Sequence, residues 1–233
     1  MVVAAARYPA EETDSSISNY TRGIDYHQVL KSKLSKLAAA IAEKCGAASV
    51  GRICVDSAPL SEREWAVRAG LGWIGKQGSV VNPDIGCCFF LGELLLNIEL
   101  APSPEIRCQC QDCNLCMKAC PMGAIMPGNM IDTRICIAYL TIEHKGTIDS
   151  AIAARMGKAV YGCDSCTRIC PWNKRNAGRI MPEFNVPAHG IPPLEKLNQL
   201  DQAGFQAIFG QTPVGRIGFE QFQRNVKIAL ANQ

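Results

Sequence analysis

Two cysteine runs constrain this chain more than any other feature of its 233 residues. The first is Cys110, Cys113, Cys116 and Cys120, followed by Pro121; the second is Cys163, Cys166 and Cys170, followed by Pro171. The first run has the C-x2-C-x2-C-x3-C-P spacing of iron–sulfur ligation. The second keeps the C-x2-C-x3-C-P ending but lacks a leading cysteine, which Cys136 upstream supplies. Each two-residue spacer curls the backbone around the sulfurs, so one tight turn brings three thiolates to three corners of a cube. The fourth cysteine leaves in another direction, because the proline after it fixes φ and removes a backbone donor.

In two-cluster ferredoxins that fourth cysteine ligates the other cluster. The same logic gives one [4Fe–4S] cluster from Cys110, Cys113, Cys116 and Cys170. A second takes Cys120, Cys136, Cys163 and Cys166. Four-thiolate zinc sites also use C-x2-C pairs but leave the x2-x2-x3 run unexplained. A disulfide framework is expected in secreted chains, and the N-terminus Met1–Arg7 lacks the basic start and length of a secretory signal. It reads as one buried strand. Of the thirteen cysteines, Cys45, Cys54, Cys87, Cys88 and Cys108 remain, each readable as a small buried residue. Cys108 competes with Cys110 as a ligand, but only Cys110 completes the spacing. Clusters and reduced thiols imply a cytoplasmic protein.

A composition of 48% apolar and 19% charged residues describes a globular chain. No apolar run reaches the length needed to cross a bilayer, and nothing in the pattern requires more than a monomer. The net charge of +3 is uneven. Between Arg107 and Arg179 stand ten Lys or Arg and five Asp or Glu, so the cysteine region is the basic part. Two anionic cubes favour nearby cations; a polyanionic substrate would favour them too.

Helical periodicity runs from Asp25 to Lys44 (Val29, Leu30, Leu34, Leu37, Ala38, Ile41), with Gly46 as its stop. Ser49–Val55 reads as a strand. Ser61 and Glu64 form a capping-box pattern that starts a helix through Trp65 toward Gly70. The loop Gly70-Leu71-Gly72-Trp73-Ile74-Gly75-Lys76 fits neither a dinucleotide fingerprint nor a Walker loop, and reads equally as a ligand loop or as tight turns. Strands follow at Ser79–Val81 and Cys88–Ile98, joined through the turn Asn82–Gly86. Helices are expected at Ile137–Ile142 and Ala151–Val160, and a two-piece helical tail over Gln202–Asn232. The fold class is α+β. Residues 1–104 form an α/β layer, 105–180 a dicluster ferredoxin-like module, and 181–233 a Pro-rich connection with a helical tail.

Several runs together resemble the epoxyqueuosine reductase family. They are Val55-Asp56-Ser57-Ala58-Pro59, Glu62-Arg63, Ala69–Lys76, Phe90-Leu91-Gly92-Glu93, Arg134–Glu143, Gly162–Cys166 and Cys170-Pro171-Trp172-Asn173. The likeness covers nearly the whole chain. It implies a cobalamin-dependent oxidoreductase that converts epoxyqueuosine to queuosine at the tRNA wobble position. Cob(I)alamin chemistry would be fed by two [4Fe–4S] clusters and an external low-potential electron donor. Reductive dehalogenases share these cofactors and a nitroreductase-like α/β layer, so the same layer is expected here, with the corrinoid held base-off between it and the module.

The resemblance assigns Asp56 as general acid. Acting so at neutral pH requires a raised pKa, as burial beside a corrin would give; a strand-end Asp also serves simply to cap a turn. It puts Lys76, Ser79, Val80, Val81, Asn82, Ala138 and Asp164 at the cobalamin together with Asp56. Lys145, Arg168, Lys174 and Arg175 are assigned to tRNA phosphates, with Arg179 nearby; as residues alone they read equally as a solvated basic face. Family members extend beyond both ends of this sequence, so the chain corresponds to a shortened form. Gln77-Gly78 and Cys87-Cys88 depart from the family pattern. Two readings stand beside this one: a dicluster ferredoxin-type electron carrier, and a cobalamin-dependent reductase of a small molecule.

Overall fold

The apolar start of the chain forms a strand, β1 (Val2–Arg7), whose burial deepens toward Arg7. The computed structural model describes residues 1–10, 16–48, 50–175, 179–184 and 191–233. Helix α1 (Tyr26–Cys45) begins where Asp25 accepts the His27 backbone N–H at 3.0 Å and ends at Gly46, whose φ of 62° is the left-handed stop expected of it. Val29, Leu30 and Leu34 turn into a core shared with Ala6, Val55, Phe90 and Leu94. Leu37 points outward, so the apolar stripe is shorter than its period predicts.

Strand β2 (Gly51–Cys54) lies inside the expected Ser49–Val55 run, of which Ser49 is outside the described residues. Helix α2 (Glu62–Arg68) starts after Ser61, but the Ser61 side chain makes no capping bond, so the predicted capping box does not close. Next come β3 (Trp73–Ile74), β4 (Val80–Val81) and β5 (Phe89–Leu96). The larger sheet has the order β1-β5-β2 and is antiparallel throughout.

Strand β4 does not pair forward with β5 across the Asn82–Gly86 turn. It pairs back to β3 as a separate hairpin. A Cβ at Gly72 would stand 2.0 Å from the Val81 carbonyl oxygen, so the glycine loop serves close backbone packing. The turn itself is drawn toward the cysteine module. A Cβ at Gly86 would overlap Asn173, whose Oδ1 accepts the Cys87 N–H at 2.8 Å.

The module contains α3 (Leu115–Ala119), a hairpin of β6 (Ile125–Met126) and β7 (Met130–Ile131), α4 (Ile137–Ile142), α5 (Ser150–Ala153) and α6 (Ser165–Arg168). Helix α4 matches its expected span. Helix α5 is far shorter than the predicted Ala151–Val160. Gly157 takes a left-handed φ of 59°, and Val160 leaves to donate its N–H to the Ser16 carbonyl. The tail has α7 (Leu194–Asn198), α8 (Gln202–Phe209), a 3-10 turn at Pro213–Ile217 and α9 (Gly218–Ala231), so it divides as Gly210 and Gly215 suggest. Phe205, Phe209, Phe222 and Val226 close a core over Ile17, Val160 and Tyr161. In the connection, Met181 and Phe184 pack back onto the sheet core, and residues 185–190 lie outside the described residues.

Candidate redox and proton-transfer site

The first cysteine set is built on a turn. Cys113 donates its N–H to the Cys110 carbonyl at 2.8 Å, with Gln111 between them at φ 36°. Cys116 follows in α3 and faces both Cys110 and Cys113. Cys110 and Cys170 then meet against Trp73, Val81, Cys87 and Cys88 of the sheet layer. Trp73 donates its indole N–H to Cys110 Sγ at 3.3 Å. The Lys76 ammonium donates to the carbonyls of Gln111 (2.7 Å) and Cys113 (2.8 Å), so it pins the ligand turn to the β3–β4 hairpin.

The second set lies within the module. Cys120, Cys136 and Cys163 border a core of Met122, Ala124, Ile137, Leu140 and Met156, and Cys166 faces Cys163 and Cys136. Ala124 donates its backbone N–H to Cys120 Sγ at 3.3 Å. Burial pushes the Cys163 and Cys166 thiols up, and contact with Cys87 followed by burial does the same to Cys170. Such sulfurs give up a proton when a metal takes their charge. Among the described residues no three His, Cys, Asp or Glu side chains converge as the ligands of one ion do. A cube is held differently, each thiolate bonding its own iron at a separate corner.

Asp56 sits just beyond β2 with φ 56°, a left-handed conformation that a non-glycine residue adopts only when held. His27 holds it. Its Nε2 lies 3.0 Å from Asp56 Oδ2, and its Nδ1 lies 2.6 Å from Asp25 Oδ1. Tyr26 stacks on Phe90 at 4.2 Å and also reaches Asp56. Arg216 Nη1 stands 3.6 Å from the same carboxylate and 3.2 Å from His27 Nε2.

The hydrogen bond from His27 leads the causes that hold the Asp56 carboxyl below the usual carboxylate range, and the His27 and Arg216 charges add to it. Burial pulls the imidazole down, but the bonds to Asp56 and Asp25 outweigh it and the net shift is upward. The rise expected for Asp56 is therefore reversed. Its side chain is 46% exposed, too open for burial to overcome two cationic neighbours. The proton of this pair resides on His27.

Arg216 also lines a cleft of about 770 Å³ with Lys145, Tyr161, Phe219, Gln221 and Arg224. Of the residues expected at tRNA, Lys145 is on this cleft. Arg168 is exposed on a smaller one beside Cys163, and Lys174 is exposed on a 3-10 turn. Arg179 is also exposed, and the Arg175 side chain lies outside the described residues.

The residues expected at cobalamin divide. Lys76, Ser79, Val80, Val81 and Asn82 belong to the hairpin, where Asn82 Nδ2 donates to the Leu71 carbonyl at 2.6 Å. Ala138 is on α4. Asp164 accepts the Asn19 N–H at 2.7 Å and the Ser18 hydroxyl, so it ties the segment before α1 to α6. The motifs single out neither His27 nor Arg216. Asp25-Tyr26-His27 at a helix start was the available signal for the first; only tertiary packing reveals the second.

A family model described as 4Fe-4S double cluster binding domain matches residues 109–173, and one described as epoxyqueuosine reductase QueG matches residues 1–57. An epoxyqueuosine reductase of Leadbetterella byssophila is 38% identical, over 94% of this chain and 72% of its own length. That of Alicycliphilus denitrificans is 43% identical, over 94% of this chain. The chain spans only 61% of the latter's length. A crystal structure of epoxyqueuosine reductase with an epoxyqueuosine-modified tRNA-Tyr stem loop superposes with a TM-score of 0.90 at 30% identity, covering 99% of this chain and 64% of the other.

Proposed function

The chain belongs to the epoxyqueuosine reductase family, and on that premise we propose that it reduces epoxyqueuosine to queuosine in tRNA, using two [4Fe–4S] clusters and cobalamin. The observation that carries the reading is the meeting of His27 and Asp56 with Arg216, which also lines a cleft beside Lys145 and Arg224, with Glu143 and Glu220 opposing them. Removing an epoxide oxygen as water consumes two electrons and two protons. The two cysteine sets supply the electron path, and the cleft, with Lys145 and Arg216 on its wall, offers cations to a nucleotide's phosphates. The target base leaves its stack to enter.

His27 is the group that bears a proton at this site, and Asp56 is the ionised carboxylate that orients it. One proton leaving His27 Nε2 passes to Asp56 Oδ2 and from there to the departing oxygen, and solvent at the half-exposed Asp56 supplies the second; Asp25 keeps the imidazole oriented through Nδ1. His27 first and Arg216 after it hold the Asp56 carboxyl below the usual carboxylate range. Lys145, exposed at the cleft, meets phosphate, while Arg224 stiffens the cleft wall, its guanidinium donating to the carbonyls of Leu140, His144 and Gly146 and to Asn225 Oδ1.

Cobalamin, when bound, supplies a strong metal-centred reductant. Its holders would be Asp56, Lys76, Ser79–Asn82, Ala138 and Asp164. The hairpin has an observation that fits it. Gln77 is buried, and its Nε2 finds no acceptor among the described residues. A free amide donor beside a run of glycines suits a corrin, whose rim carries amide carbonyls.

The test is anaerobic reconstitution with iron, sulfide and cobalamin, then mass analysis of nucleosides from tRNA bearing epoxyqueuosine. Loss of one oxygen from the modified nucleoside is expected, slowed in both His27→Gln and Asp56→Asn. A chain that takes up its clusters yet leaves epoxyqueuosine untouched, with and without cobalamin, overturns the reading.

A further inference from the structure

A carboxylic acid stands in the middle strand of the sheet. Glu93 is wholly buried in β5, opposite Val3 of β1 and Cys54 of β2. Neither of its carboxyl oxygens receives a hydrogen bond among the described residues. An ionised carboxylate in such a place is costly, because nothing replaces the water it has lost. Its neighbour makes ionisation harder still, since Glu62 at the start of α2 turns its own carboxyl onto Glu93. Two carboxyls in contact resolve this by sharing one proton, which turns a repulsion into an O–H···O bond.

Glu62 has a second contact. Its Oε1 accepts the backbone N–H of Asp56, the residue held at φ 56°. The three groups form a line from the interior to the proposed proton-transfer site: Glu93 acid, Glu62 carboxylate, Asp56 amide. We propose that Glu93 is a positioning acid, which donates its carboxyl proton to Glu62 and thereby fixes the oxygen that holds the Asp56 turn in place. Its bearing on turnover rests on the reading of Asp56 above; the latch itself does not.

Burial, followed by the Glu62 charge, raises the Glu93 acid to about 8, which is the direction this arrangement requires. The groups that face Glu93 are Glu62 from α2 and the Cys54 thiol from β2. Strand β1 presents Val3, and Ala66, Val80, Phe89 and Leu91 complete an apolar patch on that face. Helix α1 packs over Gly92 on the opposite face through Leu30 and Leu34.

Infrared spectra and amide hydrogen exchange of the full chain across pH 6 to about 10 test the latch. The wild type should show a protonated-carboxyl band that vanishes with a midpoint near 8. As it vanishes, exchange at Asp56 and Ser57 should accelerate roughly tenfold beyond the ordinary rise with pH, the factor carried by one hydrogen bond. Glu93→Gln lacks the band but donates to Glu62 through its amide, so it should keep the turn protected at neutral pH and flatten the alkaline loosening. Glu62→Gln removes the neighbouring charge, so it should move the band's midpoint downward.

A wild type with no such band at neutral pH overturns the latch. So does a Glu93→Gln chain whose turn loosens with pH as the wild type does, or an unmoved midpoint in Glu62→Gln. If band and turn behave as stated while epoxyqueuosine is never consumed, the latch stands and the proposed function fails.

Discussion

Cys110 and Cys170 pack against Trp73, Val81 and the Cys87–Cys88 pair of the sheet layer, whereas Cys120, Cys136 and Cys163 pack against Met122, Leu140 and Met156 and meet Ile228 of the tail. The first set is an interface feature. Its ligand turn is held by Lys76, and one of its sulfurs accepts the Trp73 N–H. The second set packs within the module, half-buried, with Ile228 of the tail against it. Sequence spacing makes the two sets look like repeats of one motif. Their surroundings differ: one set packs against the sheet layer, and the other packs within the module and against the tail.

The largest expected break in this contrast comes from Asn225. It is fully buried on α9 and donates to the carbonyls of Thr141 (2.9 Å) and Val160 (2.8 Å), which flank the second set. Asn225→Leu leaves the Val160 carbonyl unmet, leaves the Thr141 carbonyl to Gln221 alone and removes the Oδ1 that Arg224 donates to. That should cost about 3 kcal/mol, read in urea unfolding, with iron lost first from the second set.

Lys76→Met is the mirror experiment. Two ammonium–carbonyl bonds disappear, one of them exposed, so roughly 2 kcal/mol is expected. Iron should now leave the first set first. Equal loss from both sets in either variant would show that the two are held alike.

Trp73→Phe sharpens it without unfolding anything. A hydrogen bond to a ligand sulfur favours the more negative, reduced cluster, so losing it lowers the potential. A bond of about 1 kcal/mol corresponds to roughly 40 mV for one electron. A redox titration followed by electron paramagnetic resonance should show one cluster shifted and the other fixed.

The smallest effect concerns protons. The His27 pKa lies above its ordinary 6.5, so the stability its bonds supply is full below that value and is lost as pH rises through the raised one. The depressed Asp56 contributes in the opposite sense, present above its ordinary 3.8 and lost as pH falls through its lowered value. The pair is thus best formed between the two. Nuclear magnetic resonance of the His27 ring should give a midpoint above 6.5 that falls in Asp56→Asn; an unmoved midpoint would disconnect the two residues.

What sequence could read was local. The Gly46 stop of α1 and the period of α4 depend on neighbours along the chain and appear where expected; the cysteine spacing is equally local, and its span is the one a 4Fe-4S double cluster binding domain matches. The pairing of β4 back onto β3 depends on Asn173, far along the chain, which draws the Gly86 turn toward the module. The shortened α5 depends on Val160 leaving for Ser16. The reversed shift at Asp56 depends first on His27, from the start of α1, and then on Arg216, brought from a 3-10 turn of the tail. Motif resemblance pointed to Asp56 but carried no trace of its electrostatic partners.

The seating of Cys170 beside Cys110 also bears on the unfolded chain. Under the proposed ligation, one inorganic cube joins the 110–116 turn to a cysteine more than fifty residues further on. It then closes a long loop, as a disulfide does, and removes disorder from the denatured ensemble worth roughly 4 kcal/mol by the chain-entropy estimate. Oxidative loss of that cube would cost the protein an electron carrier and a staple in one event. Damage to its redox chemistry would be felt at once as a loss of fold.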